Sequence, residues 1–189
     1  MKKSTYLSVL VIFIVGISCN SQYQYKKEIQ DGLFLTKVDG KYGLIGSNDE
    51  VLIPNEYDTL DFFGSMGYSV KNGKMGLIDR EGNIIIPNEY EYLNFDGGSR
   101  GKSIKNGKVG EIDLMGNILI PNEYESIDFN GNVGISLKDG KYGMILSYPD
   151  GSKVVLPNEY DSIKSIKMDV FTYKDGIEEI ISKGVLFGQ

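Results

Sequence analysis

The sequence predicts an all-β fold, a tandem array of short antiparallel β-hairpin repeats. Three observations carry that expectation. The tetrapeptide Pro-Asn-Glu-Tyr recurs at Pro54, Pro87, Pro121 and Pro157, in steps of 33, 34 and 36 residues, a period that signals a repeat architecture. Asx-Gly pairs fall once per period, at Asp39-Gly40, Asn72-Gly73, Asn106-Gly107, Asp139-Gly140 and Asp175-Gly176. Between apolar-containing stretches such a pair is the strongest short-range hairpin signal, because a type I′ turn needs positive φ at both central residues. The repeats show no 3.6-residue apolar periodicity, and 24 Gly with 13 Tyr suit short strands joined by tight turns.

The chain opens on an address rather than on the fold. Lys2 and Lys3 precede an apolar stretch from Tyr6 to Ile17, long enough for a signal-peptide core and too short to span a bilayer, which takes about 20 residues. It ends Val15-Gly16-Ile17-Ser18-Cys19, and Cys19 is the only cysteine of the chain. The segment resembles a bacterial lipoprotein signal, although Gly16 stands where an aliphatic residue is usual. That resemblance implies a signal peptide over 1–18 and lipidation of Cys19. Asn20 is not the Asp that marks inner-membrane retention in enterobacterial lipoproteins, so the resemblance implies an outer-membrane lipoprotein of a Gram-negative bacterium, facing the periplasm or displayed at the cell surface. Residues 19–30 then read as the lipidated Cys and a polar tether, and 31–189 as the β-repeat domain. Its units are placed at about 37–70, 71–104, 105–137 and 138–173, with a partial terminal unit at 174–189.

Within a unit the elements follow in order. A small hydroxyl lies four residues before each turn Gly: Thr36, Ser69, Ser103, Ser136 and Thr172. Its neighbours are mostly apolar, which is the period-2 alternation of a half-buried strand. After the turn comes Lys-x-Gly, at Lys41-Tyr42-Gly43, Lys74-Met75-Gly76, Lys108-Val109-Gly110 and Lys141-Tyr142-Gly143. A Gly inside a strand signals close approach of another backbone or ring. A second turn surrounds Glu81-Gly82-Asn83 and Met115-Gly116-Asn117. The next strand carries an apolar triplet, Val51-Leu52-Ile53, Ile84-Ile85-Ile86, Ile118-Leu119-Ile120 or Val154-Val155-Leu156. Consecutive apolar residues predict burial on both faces, so these triplets are the expected core. The Pro that follows is expected to end the strand, since it cannot donate to a ladder. Each unit thus has three clear strands, with a short fourth around Tyr90 to Phe95. Units this small must stack to bury their apolar faces. The expected arrangement is an open curved array, the alternative a small closed propeller-like ring.

Composition excludes several functions. Histidine is absent, which removes the Ser-His-Asp and Cys-His nucleophile systems and the commonest transition-metal ligand. The net charge of −6 comes without a basic stripe, which tells against nucleic-acid binding. Asp79 to Asn83 and Asp113 to Asn117 supply too few alternating oxygens for a calcium loop. The recurring Asn and Glu of Pro-Asn-Glu-Tyr fit turn chemistry, with the Glu pairing to recurring Lys, better than a glycan-binding ridge. No cofactor motif and no catalytic constellation stand out. The irregular loops that differ between copies are where partner contacts would be carried, which makes Phe62, Phe63, Asp96 and Arg100 the candidate contact residues.

Taken together, Gly-Lys-aromatic-Gly-Leu-Ile-Asp, then Gly-x-Ile-Ile-Ile-Pro, then Tyr-Asp/Glu and Phe, resembles the WG-repeat (KWG-repeat) family over Leu33 to Tyr173. The namesake Trp is replaced by Tyr42, Met75, Val109 and Tyr142, which tells against a role for an indole and leaves the fold intact. The resemblance implies a non-enzymatic interaction module of the bacterial envelope. The expectation is therefore a protein held to the membrane by its N-terminal lipid, binding an envelope protein or, alternatively, carbohydrate.

Overall fold

The computed structural model describes residues 23–148, 151–166, 169–182 and 184. Cys19 and the signal-like segment lie outside the described residues.

Five antiparallel sheets follow one another along the chain. The first holds β1 (Tyr25–Gln30), β2 (Leu33–Val38), β3 (Lys41–Ile45) and β4 (Val51–Tyr57). The second holds β5 (Thr59–Phe63), β6 (Met66–Lys71), β7 (Lys74–Asp79) and β8 (Ile84–Tyr90). The third holds β9 (Tyr92–Asn94), β10 (Arg100–Lys105), β11 (Lys108–Asp113) and β12 (Ile118–Tyr124). The fourth holds β13 (Ser126–Asn130), β14 (Val133–Lys138), β15 (Lys141–Tyr148) and β16 (Gly151–Tyr160). The fifth has three strands, β17 (Ser162–Ile166), β18 (Asp169–Lys174) and β19 (Ile177–Ser182). The Asx-Gly turns join second and third strands with positive φ at both residues, as at Asn72 (53°) and Gly73 (72°). One residue, Asp58, Glu91, Glu125 or Asp161, separates the last strand of a sheet from the first strand of the next.

Four expectations are corrected here. Tyr25 to Gln30 belongs to the fold, not to a tether: it is β1, paired with β2. Its polar sequence hid it, because at the start of the array it pairs along one edge and packs little apolar surface. The repeat also has another phase. The units are four-stranded sheets bounded by the acid after each Tyr, not segments running from turn to turn.

The third correction concerns Pro-Asn-Glu-Tyr, which does not stop a strand. It lies inside β4, β8, β12 and β16 as a bulge. Leu77 pairs with Ile86 and Met75 with Tyr90, so four steps on β8 oppose two on β7. Pro is tolerated because a bulge on an edge strand needs no ladder N–H. Gly76 is required opposite it, since a Cβ there would lie 2.4 Å from the Ile86 carbonyl oxygen.

The fourth correction concerns the core. Only the third residue of each triplet is fully inside. Val51, Ile84, Ile118 and Val154 are 63, 61, 60 and 52% exposed. The strand buried on both faces is instead the one after Lys-x-Gly. Leu44 packs forward with Ile53, Tyr57 and Leu60, and Ile78 of the next sheet packs back onto the same cluster. Leu77, Ile86 and Tyr90 meet Leu93, Phe95 and Ile112 in the same way. Each fully buried side chain of this kind contributes about 1.5–3 kcal/mol. The four core clusters each join a sheet to the one after it. None joins the fifth sheet to the first, and Ile180 on the fifth is 64% exposed. Among the described residues the array is open, as expected, and not a closed ring.

Candidate functional site

The most conserved-looking polar residues within the repeat are structural, and their geometry says why. The Asn of each Pro-Asn-Glu-Tyr donates from Nδ2 into the preceding hairpin. Asn88 reaches the Ser69 carbonyl at 2.8 Å, the Ser69 hydroxyl at 3.0 Å and the Lys74 carbonyl at 3.1 Å. Asn122 and Asn158 repeat the pattern on Ser103 and Ser136, and Asn55 reaches the Thr36 hydroxyl and the Lys41 carbonyl. The bulge turns the backbone away from these groups, and the amide side chain satisfies them where water is excluded. The four hydroxyl residues are correspondingly buried.

The Glu beside each Asn forms an ion pair with the Lys before the next Asx-Gly turn. Glu56 meets Lys71 at 2.8 Å, Glu89 meets Lys105 at 2.6 Å, Glu123 meets Lys138 at 3.0 Å and Glu159 meets Lys174 at 3.1 Å. The acid between sheets binds in both directions. Asp58 holds Lys41 of the sheet behind and accepts the Gly73 N–H of the turn ahead at 3.0 Å. Glu91 does the same with Lys74 and Gly107, and Asp161 with Lys141 and the Asp175 N–H. The ammonium beside each holds Asp58, Glu91 and Asp161 below the usual carboxylate range, with help from the turn N–H. The carboxylates beside Lys71, Lys105 and Lys141 raise those ammonium groups. The oxygens of Asp79 and Asp113 are spent on the backbone and side chain of Asn83 and Asn117. Among the described residues no cluster of acids could hold a metal ion.

Apolar side chains outside the recurring pattern gather at the junction of the second and third sheets. Phe63 at the end of β5 lies 5.0 Å, ring to ring, from Tyr68 on β6, and Tyr68 lies 6.3 Å from Phe95. The Tyr68 hydroxyl accepts the Phe95 N–H at 3.1 Å. The loop after Phe95 turns through Asp96 and Gly97, both at positive φ, and its Ser99 carbonyl accepts the Leu114 N–H at 3.1 Å. These rings, with Met66 and Leu114, line a groove of about 500 Å³ rimmed by Asp61 and Asp96. A second hollow of about 470 Å³, sharing Met66 and Leu114, extends it to Met115, which is 81% exposed.

The four residues picked from sequence separate. Phe63 and Asp96 lie in this groove. Phe62 instead packs inward against Gly67, where a Cβ would lie 2.8 Å from its ring. Arg100 lies on β10, lines the adjoining hollow beside Leu114 and Met115, and pairs with Glu111. Glu111 occupies the place of Leu44, Leu77 and Met144 in the other units, and it also accepts the Ser147 hydroxyl at 2.7 Å. That cluster adds polar groups to the junction of the third and fourth sheets, beside the apolar cluster of Ile120, Tyr124, Ile127 and Ile145. Leu114 and Met115 were missed. The available signal was an apolar Leu-Met pair at a turn tip, where the second unit has Arg80-Glu81.

An aromatic floor with two rim carboxylates can hold an extended peptide or the flat face of a sugar.

Comparison with known proteins locates the chain further. No curated protein matches it. Among solved structures it is similar to PorZ, a surface component of the type-IX secretion system of Porphyromonas gingivalis, at 12% identity and TM-score 0.31, over 79% of this chain and 25% of that one. It is similar to Kluyveromyces lactis Hsv2 at 9% identity and TM-score 0.36, over 80% and 57%. The WD40 β-propeller domain of Doa1 matches at 12% identity and TM-score 0.29, over 82% and 62%. The chain thus spans less than two thirds of each. At sequence level, residues 75–98 and 110–142 match the family model of WG-containing repeats, and the same unit recurs on either side of those segments.

Proposed function

We propose that this protein is a non-enzymatic, lipid-anchored β-repeat protein of the bacterial cell envelope that binds another protein through the groove between its second and third sheets. The observation that carries the reading is the gathering of Phe63, Met66, Tyr68, Leu114 and Met115 at one junction. Elsewhere the repeat spends its polar groups on its own turns. The anchor rests on Cys19 at the end of a signal-like segment, and outer-membrane placement on the residues after it. Lipidation by several chains gives stable attachment, where one chain is marginal. Carbohydrate is the second reading, because the Phe63 and Tyr68 rings suit a sugar face as well as a side chain.

The test places a photo-crosslinking amino acid at Phe63 in living cells, with Val51, which is more exposed and lies outside the groove, as control. A reproducible protein adduct at Phe63 and not at Val51 is the expected result. Retention on envelope polysaccharide, lost in Phe63→Ala, together with no protein adduct, transfers the site to glycan. A catalysed reaction abolished by Asp61→Asn or Asp96→Asn would overturn both. Separately, Cys19→Ala should release the protein from membranes, and wild type should incorporate labelled fatty acid.

A further inference from the structure

The two ends of the array are built differently, and the difference points to a second binding surface. The first sheet is altered where it would meet a preceding sheet. Lys26 stands in the register position held by Leu60 in the second sheet, and Glu28 in that of Phe62. Lys26 lies over the Phe34 ring at 4.6 Å and pairs with Asp49 at 2.7 Å. Val38 replaces the Lys that elsewhere reaches back to a Glu, and Gln24 replaces the acid of the other junctions while keeping its bond to the next turn, from the Gly40 N–H at 3.1 Å. A polar outer face of this kind caps a repeat array.

Among the described residues the fifth sheet is closed at its edge and open on its face. Its last strand, β19, cannot receive a fourth strand of the Pro-Asn type. Glu179 pairs with Thr172 as Gly76 pairs with Ser69, so its side chain fills the space such a bulge needs. The face that would carry a sixth sheet is different. Ser162, Lys164 and Ile166 of β17, Phe171 and Tyr173 of β18 and Glu178 of β19 line one hollow of about 450 Å³. Ile180 pairs with Phe171 and so shares that face. In the first four sheets the equivalent face is covered by the next sheet.

We infer that this face is covered by the same face of a second copy of the chain. The charges decide the occupant. The surface carries Lys164 and Glu178 on opposite outer strands, about an apolar centre at Phe171, with Asp169 at the end of the central strand. A two-fold axis parallel to β18 lays β17 of one copy over β19 of the other. It sets Lys164 diagonally opposite the partner's position 178, twice over, and leaves the two Asp169 carboxylates at the watered rim. Closed two-fold pairing of one surface with itself is the commonest symmetry of protein assemblies. Head-to-tail growth is disfavoured by the polar cap on the first sheet, so the assembly stops at two. This inference stands apart from the groove between the second and third sheets.

The test is sedimentation of the full chain in mild detergent over a concentration series. Wild type should pass from monomer to dimer. Ile180→Lys should remain a monomer throughout, while Ile84→Lys, equally exposed but off this face, should dimerise as wild type does. Lys164→Glu and Glu178→Lys should each lose the dimer, and the two combined in one chain should regain it. Far-UV circular dichroism of each variant should match wild type. A wild-type monomer at every concentration, or a dimer indifferent to Ile180→Lys, overturns the inference. A dimer that appears only after removal of residues 183–189 overturns it too, since the chain's own end would then be the cover.

Discussion

The two most faithfully repeated residues of the unit do unequal work. Asn88 supplies both hydrogens of its amide to groups that the bulge has cut off from the ladder, and loss of that amide strands the Ser69 hydroxyl and two carbonyls. Leaving such groups unsatisfied costs about 1–3 kcal/mol. Glu89 forms an exposed ion pair with Lys105, and pairs of that class contribute about 0–1 kcal/mol. Asn88→Ala should therefore lower stability by about 1–3 kcal/mol and Glu89→Ala by less than about 1 kcal/mol, both read from urea unfolding. Equal losses would mean that the amide does not bracket the hairpin.

At the scale of the element, two glycines three residues apart differ in what they permit. Gly107 has φ of 70° in a turn with open space around its Cα, so a side chain there strains only the backbone, by about 1–2 kcal/mol. Gly110 has ordinary φ, but a Cβ would lie 2.5 Å from the Ile120 carbonyl oxygen and 2.9 Å from the Asn122 nitrogen. Backbone cannot retreat as a side-chain tip can, so Gly110→Ala should destabilise more than Gly107→Ala in thermal unfolding. The contrast marks what could be read from sequence. Period, Asx-Gly turns and hydroxyl strand each obey a rule set within a few residues, and they were legible. The bulge was not, because Pro after an apolar run ordinarily closes a strand. Val51, Ile84, Ile118 and Val154 looked like core because exposure depends on the sheet edge, which no neighbouring residue encodes. The groove was half legible: Phe63, at the end of β5, and Asp96, in the loop after β9, stand where the copies differ, whereas Leu114 reaches them only through the stacking of two sheets.

For the whole molecule, the junction ion pairs set how stability depends on pH. Asp58, Glu91 and Asp161 titrate below their unfolded values, so their contribution is present above about pH 4 and is lost as pH falls through their folded values. Lys71, Lys105 and Lys141 titrate above theirs, so their contribution is complete below about pH 10 and is lost as pH rises through the folded values. Burial raises Tyr57, Tyr90 and Tyr124, so the unfolded chain ionises first and alkali favours it further. With no His to titrate between those limits, melting temperature should be flat from about pH 6 to 9 and fall on both sides. A step near pH 6.5 would contradict this account.

The single-residue junctions have a further consequence, for the length of the array. Asp58 and Glu91 each face back to a Lys and forward to a turn of the same design. Excision of residues 59–91 would join Asp58 to Tyr92 and leave every remaining bond a partner of the right kind: Lys41 behind, Gly107 ahead, and Glu56 within reach of Lys105. The shortened chain should fold to four sheets, with a smaller denaturant slope in proportion to the surface it no longer buries. It would also lack Phe63, Met66 and Tyr68, and with them the groove. Such splices could add or remove modules at will, so that the chain's size is a matter of inheritance rather than of folding.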